Sequence, residues 1–376
     1  MLITAQFDSG NIEVVKAEDP AAIELKIRQD HQSDFYQWFH FKLYGELGTE
    51  HVMNITNASG SAYPDGWQDY SAVASYDRET WFRVPTSYDG KTLTIRHTLE
   101  QESVYFAYFT PYSYERHQDL IHWAQQSSLV EHVLLGQTLD GRDLNLLVIG
   151  EPDESKQKIW VTARQHPGES MAEWFIEGML GRLLDDEDGA VRKLLQDNVF
   201  YVVPNMNPDG SVRGHLRTNA VGVNLNREWQ APSLERSPEV FHVLNAMQET
   251  GVDLYLDIHG DENLPYNFLA GCEGVPCYNE RHDKLAEKFK ATLLAITPEF
   301  QTEFGYEVDK PGEANLTVAS NAVAERFDCL AFTLEMPFKD NANLPDADFG
   351  WSANRSAQLG ADVVSAVYAV ANDLRV

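Results

Sequence analysis

The sequence has few cysteines, little positive charge and no long apolar run. Cys272, Cys277 and Cys329 are its only cysteines. So small and odd a number argues against a disulfide framework. The three also lack the paired spacing of a structural zinc site. Lys and Arg together number 29 against 58 Asp and Glu, a net charge of −29. Nucleic acid and anionic membranes both require basic surface, so neither is an expected partner. The charge favours solubility and carries no information about fold. Apolar runs such as 144–149, interrupted by Asn145, fall far short of a membrane span. The first residues, Met-Leu-Ile-Thr-Ala-Gln-Phe-Asp, contain no basic stretch followed by an apolar one. No signal peptide is therefore expected, and the compartment that fits is the cytoplasm.

What is present is globular. Of 376 residues, 43% are hydrophobic and 23% charged, which excludes disorder, collagen and a simple coiled coil. Two domains are expected, 1–112 and 113–376. In the first, Phe39, Phe41 and Leu43 alternate with polar partners, as do Leu93 and Ile95, and 104–109 is an aromatic run. Turn signals at Asp65-Gly66 and Asp89-Gly90 separate such runs, which points to an all-β sandwich. A short helical pattern around Leu120, Ile121 and Ala124 marks the junction. Beyond it, strands (159–163, 199–203, 254–258, 330–334) alternate with helices (171–184, 238–249, 281–296, 352–374). That alternation predicts an α/β domain with a mixed, largely parallel sheet flanked by helices.

In open α/β sheets ligands bind beyond the carboxyl ends of the strands. Four apolar strands of this chain each deliver a polar cluster there: Arg164 to Ser170, Asn205 to Gly210, His259-Gly260-Asp261, and Glu335. Ser170-x-x-Glu173 reads as a capping box that starts a helix near Met171 and leaves His166 and Glu169 in the loop before it. Alone, a His-x-x-Glu pair reads more readily as loop polarity, and a lone His259 as a satisfied strand-end histidine. Converging, the three make the two-His, one-carboxylate set that catalytic zinc uses, with a fourth position left to water. Glu335 is either a paired structural carboxylate or, beside a metal site, a general base. Arg217, Asn226 and Arg227 fall in a stretch rich in Asn and Gly, where arginines are usually solvated. Functionally, an arginine fork pairs with a carboxylate, and a second arginine can stabilise an oxyanion.

The run Thr162-Ala-Arg-Gln-His-Pro-Gly-Glu-Ser170 resembles the zinc motif of metallocarboxypeptidases. Its Ala-Arg-x-His-Pro-Gly-Glu form is closest to the cytosolic carboxypeptidase subfamily. Asn207-Pro208-Asp209-Gly210, then Arg217, then Asn224-Leu225-Asn226-Arg227 follow the same subfamily in order and spacing. In the first half, 7–11, 35–39 and 105–108 resemble its N-terminal β-domain. The resemblance implies one Zn²⁺ held by His166, Glu169 and His259, and Glu335 as the base. It further implies Arg217 as oxyanion stabiliser, with Asn226 and Arg227 gripping the terminal carboxylate of a peptide or protein substrate. It also implies a mobile tyrosine, for which Tyr306 is a candidate, and a preference for C-terminal glutamate. For that preference Arg326 is the first candidate cation, and Lys310 and Arg213 are weaker ones. Arg326 could equally lie on the exposed face of a 317–327 helix. The alternatives are a related zinc amide hydrolase acting on a small acylated amino acid or cell-wall peptide, and a non-catalytic binding module. Oligomeric state is not legible.

Overall fold

The computed structural model describes residues 1–375. Ten short strands precede the first α-helix and form two five-stranded sheets. One sheet contains β1 (Leu2–Thr4), β4 (His40–Tyr44), β6 (Val73–Ser75), β7 (Phe82–Arg83) and β10 (Ser103–Ala107), in the order β1-β4-β10-β6-β7. The other contains β2 (Glu13–Lys16), β3 (Ile23–Lys26), β5 (Glu50–Ile55), β8 (Thr86–Tyr88) and β9 (Leu93–Thr98), in the order β2-β3-β5-β9-β8. Alternation sets the inner faces: Phe41, Leu43, Leu93, Ile95, Val104 and Phe106 are all fully buried. Asp65-Gly66, read as a turn, lies within a 3₁₀ helix, Pro64–Trp67.

The second domain opens with α1 (Tyr114–Ala124), β11 (Val130–Gln137), β12 (Asp143–Ile149), β13 (Gln157–Ala163), α2 (Met171–Leu183), α3 (Gly189–Asp197), β14 (Asn198–Val203) and α4 (Pro208–Arg213). It continues with α5 (Pro238–Thr250), β15 (Leu254–Asp261), β16 (Phe268–Ala270), α6 (Glu280–Ile296), α7 (Ala319–Phe327), β17 (Leu330–Pro337) and α8 (Ala353–Val370). Its seven-stranded sheet runs β11-β12-β14-β13-β15-β17-β16. The inner neighbours β14-β13-β15-β17 are parallel, and the outer pairings are antiparallel. The mixed sheet expected is found, parallel at its centre, with three of its six pairings parallel and three antiparallel. The parallel strands are buried along almost their whole length because both faces are covered. On one face α2 and α8 come into backbone contact. A Cβ on Gly178 would lie 1.8 Å from the Ala357 carbonyl oxygen, and one on Gly360 2.0 Å from that of Phe175. The core on that face is continuous with the sandwich core, and Tyr108 stacks on Phe338 at 4.5 Å across the junction.

Two local expectations are corrected. The Ser170 side chain does not cap α2. Its hydroxyl donates to the Thr110 carbonyl, while Glu173 is claimed by buried Arg164 and His117 at 2.7 and 2.6 Å. A buried charge pair outcompetes a capping contact, because an uncompensated buried arginine is far more costly. Strands β15 and β17 also run on to Asp261 and Pro337. His259 and Glu335 are therefore sheet residues, in register with each other, rather than residues beyond strand ends.

Candidate active site

The loop after β13 begins with Arg164 in a left-handed conformation, φ 57°. For a non-glycine residue this stores about 1–3 kcal/mol of strain, tolerated only where the surroundings over-determine it. Here they do: the buried Arg164 guanidinium donates to the carbonyls of Pro167 and Tyr112 and to Glu173. The turn so held places His166 and Glu169 beside His259 of the neighbouring strand, with all three buried.

Their geometry is that of a cation site. His166 Nδ1 lies 2.6 Å from Glu169 Oε1, His259 Nδ1 lies 2.8 Å from Glu169 Oε2, and the two Nδ1 atoms are 3.2 Å apart. The outer nitrogens are engaged elsewhere: His166 Nε2 faces Asn224 Oδ1 at 3.1 Å, and His259 Nε2 faces Asp257 Oδ2 at 2.8 Å. Both outer partners can accept a proton, so neutral rings protonated on Nε2 would turn their Nδ1 lone pairs inward. In that tautomer two lone pairs and a carboxylate would converge, a donor set that fits a metal ion. Among the described residues this is the one such cluster of His, Cys, Asp and Glu, its ligand atoms lying within 4.8 Å of one another. Without a metal, burial raises the Glu169 pKa, but the positive charge and N–H donation of a protonated imidazole beside it outweigh burial and hold it below the usual carboxylate range.

The cluster opens into a cavity of about 490 Å³ whose lining includes Tyr63, Arg217, Asn226, Arg227, Tyr306 and Glu335. Glu335 is 6% exposed, and its Oε2 has no hydrogen-bond partner. Burial pushes its pKa well above the ordinary value; His259 opposes this, and the Glu169 and Asp261 charges add to it. The Tyr306 hydroxyl lies 2.7 Å from Asp261 Oδ2 and 3.1 Å from Glu335 Oε1, so one proton stands between two carboxylates. Asn226 uses its Oδ1 to accept from the Ala319 N–H, which leaves its NH₂ for a ligand. Arg227 lies at the exposed rim, and burial of part of its side chain and repulsion from Arg217 lower its pKa. Among the described residues neither arginine forms a salt bridge with a carboxylate.

Arg326 is corrected. It is exposed on the last turn of α7 and lines no part of the cavity. The helix face toward the sheet is taken by Ala322 and Val323, which turns Arg326 to solvent. Lys310 and Arg213 are also absent from the lining, and Arg213 pairs with Asp140 at 2.7 Å. The cation that does line the cavity beside the arginines is Lys290 of α6, 3.6 Å from Glu273. Sequence reasoning also passed over Asp257. Its signal was the two-residue spacing to His259, which puts both on one face of a strand. Asp257 carries Gln165 Nε2 at 2.6 Å and Thr162 Oγ1 at 2.9 Å as well as His259.

A family model for zinc carboxypeptidases matches residues 117–350, and one for the cytosolic carboxypeptidase N-terminal domain matches 3–109. The chain belongs to the zinc carboxypeptidase family. It carries the N-terminal domain of the cytosolic carboxypeptidases, and it is a zinc metallocarboxypeptidase, a hydrolase of peptide C-termini. A metallo-carboxypeptidase from Burkholderia cenocepacia is 52% identical, with a TM-score of 0.96 over 98% of both chains. One from Pseudomonas aeruginosa, solved in complex with (2-guanidinoethylmercapto)succinic acid, is 50% identical, with a TM-score of 0.98 over 100% of both. Cytosolic carboxypeptidase 6 of Caenorhabditis elegans is 27% identical across 90% of this chain and 79% of its own length. No helix among the described residues of this carboxypeptidase is long and apolar enough to cross a membrane.

Proposed function

We propose that the protein uses one zinc ion, held by His166, Glu169 and His259, to remove the C-terminal residue of peptides or proteins in the cytoplasm. The observation that carries this reading is the pair Arg217 and Arg227. In a chain of net charge −29, both stand without a carboxylate partner in the cavity that holds the ligand cluster. A substrate's terminal carboxylate would supply the missing anion. Arg227 and the Asn226 NH₂ would grip it, a fork geometry that a neutral amide cannot match. That grip places the last peptide bond, rather than an internal one, beside the cluster.

The metal, when bound, would polarise the scissile carbonyl and acidify the attacking water. Every other role falls to side chains. Glu335 takes the water's proton on its unpartnered Oε2 and returns it to the leaving amine. Arg217 donates to the carbonyl oxygen as negative charge grows there. Asp257 and Asn224 keep the two imidazoles in the tautomer that presents Nδ1. Tyr306 covers Glu335 and restricts bulk water.

For the departing side chain we retain a preference for glutamate, with Lys290 in place of Arg326 as the cation that would receive it. A second reading is favoured by Glu273, Glu307 and Asp309, which also line the cavity. Those carboxylates suit a basic residue, and the ligand of the Pseudomonas relative carries a guanidino group. Peptides ending in Glu, Lys, Phe or Ala on one scaffold, each with a free or amidated terminus, test both levels. Cleavage of free termini alone, fastest with Glu, is expected. Equal cleavage of amidated peptides would overturn the carboxypeptidase assignment and leave the amide-hydrolase alternative. Faster release of Lys would replace glutamate by a basic preference.

A further inference from the structure

We propose that the β-sandwich domain positions Arg217: its 30–35 turn fixes the backbone carrying this arginine, and its aromatic rings hold the guanidinium over the cavity. The proposal rests on the reading that Arg217 donates to the carbonyl oxygen during reaction.

Between the end of α4 and Asn224 the chain has no helix or strand. A loop of this kind leaves backbone N–H groups without regular partners, and buried ones must be satisfied elsewhere. The N–H groups of Leu216, Arg217 and Thr218 all donate to one carboxylate, Asp30, at 2.7, 2.9 and 2.9 Å. The Thr218 hydroxyl adds a fourth bond at 3.0 Å. Asp30 is 3% exposed and forms no salt bridge among the described residues. These four donors are therefore what compensates its charge, and charge-assisted bonds are the strong ones. The same turn clamps the loop on either side of Arg217. The His31 N–H donates to His215 Nε2, and a Cβ on Gly222 (φ 77°) would lie 2.3 Å from the Gln32 carbonyl oxygen. Gly214 seats against Ser9 and Gly10, and its carbonyl accepts from Asn11 Nδ2.

The turn closes through Asp30 N–H to the Phe35 carbonyl, so Phe35 is fixed by the residue that fixes the loop. The Arg217 guanidinium lies 5.5 Å from the Phe35 ring centre and 5.6 Å from that of Tyr63. An aromatic face attracts a cation through its quadrupole and accepts no conventional N–H···O bond. A carboxylate partner would occupy the N–H edges and compete with an oxyanion, whereas two aromatic partners leave those edges for substrate. In a chain with 58 Asp and Glu, that choice of neighbours keeps Arg217 both held and unneutralised. Asp30 and Phe35 are thus positioning residues, acting through Arg217.

The test compares Asp30→Asn, Phe35→Leu and Arg217→Ala, singly and with each positioning variant combined with Arg217→Ala, in the zinc-loaded enzyme. Thermal melting checks folding, and amide hydrogen exchange is read on a peptide covering 214–222. Losing an oxyanion donor costs about 10²–10³ in kcat, and a misplaced one a share of that. Asp30→Asn turns an NH₂ toward donors, so faster exchange at 216–218 and a kcat lowered about 10-fold with KM within about twofold are expected. Phe35→Leu leaves all four Asp30 bonds in place and should lower kcat severalfold with exchange unchanged. Both losses should vanish in the Arg217→Ala background. Should Asp30→Asn fail to fold, Phe35→Leu decides alone. A folded Phe35→Leu with wild-type kcat while Arg217→Ala is crippled, or losses that multiply with Arg217→Ala, would overturn the positioning role only. Wild-type kcat in Arg217→Ala itself would overturn the role of Arg217 and, with it, this proposal.

Discussion

Glu335→Gln should pull activity and stability in opposite directions. The residue is buried, its Oε2 lacks a hydrogen-bond partner, and burial lifts its pKa well above the ordinary value. A buried acceptor left unpaired costs about 1–3 kcal/mol, and more when charged. Glutamine keeps the shape and the contact with Tyr306 but removes the charge. The zinc-free protein should therefore gain about 1 kcal/mol, part of that penalty, because the amide still leaves a polar group unpaired. Its catalytic effect runs the other way. Loss of a general base costs about 10²–10⁴ in rate, which at 1.36 kcal/mol per decade is about 2.7–5.4 kcal/mol of barrier. Urea unfolding of the chelated protein reads the first effect, and kcat on a free-terminus peptide, at equal zinc content, reads the second. Near-normal kcat would refute the base assignment. A folded, less stable variant would refute the claim that this carboxylate is held at a cost to the fold.

Zinc content should be close to one per chain and should vanish in the His166→Ala, His259→Ala double variant. Asp257→Ala, which frees the outer nitrogen of His259, should weaken zinc by about 10–100-fold in a chelator competition; unchanged affinity would remove Asp257 from the ligand support. Arg83 of the sandwich donates to the carbonyls of Phe338, Phe349 and Trp351 in the catalytic domain. Arg83→Ala should cost about 2–4 kcal/mol of stability, and an unchanged urea midpoint would show that these bonds do not tie the domains. His40 is buried, and burial, with Arg78 adding to it, lowers its pKa to about 3. Folding favours its neutral form, so its stabilisation is intact above the unfolded value near 6.5 and declines as pH falls from there toward 3. That decline should approach about 1.4 kcal/mol per pH unit, and a His40→Phe variant with the same acid profile would exclude His40 as a cause.

Local chemistry made much of this protein legible in one dimension. Period-two alternation around Phe39–Leu43 and Leu93–Ile95 marked the sandwich, because a strand's side chains alternate whatever it pairs with. Mostly apolar runs at 159–163, 199–203, 254–258 and 330–334 marked the parallel sheet, because those strands are covered on both faces. Three of the four polar clusters at their ends line the cavity, while 205–210 lies outside its lining, and the motif spacing supplied His166, Glu169, His259 and Glu335 as candidates. Tertiary structure decided what depends on competition between distant partners. Ser170 and Glu173 fit a capping box locally, but Arg164 and His117 take the carboxylate. Arg326 is near Glu335 in the chain, yet the packing of α7 turns it outward and brings in Lys290 from another helix. Asp30 gained its role only when the fold closed and brought three amides 186 to 188 residues away to share it. Sequence records which groups need a partner, while the choice among partners is an energy comparison that exists only once the chain has brought them within reach.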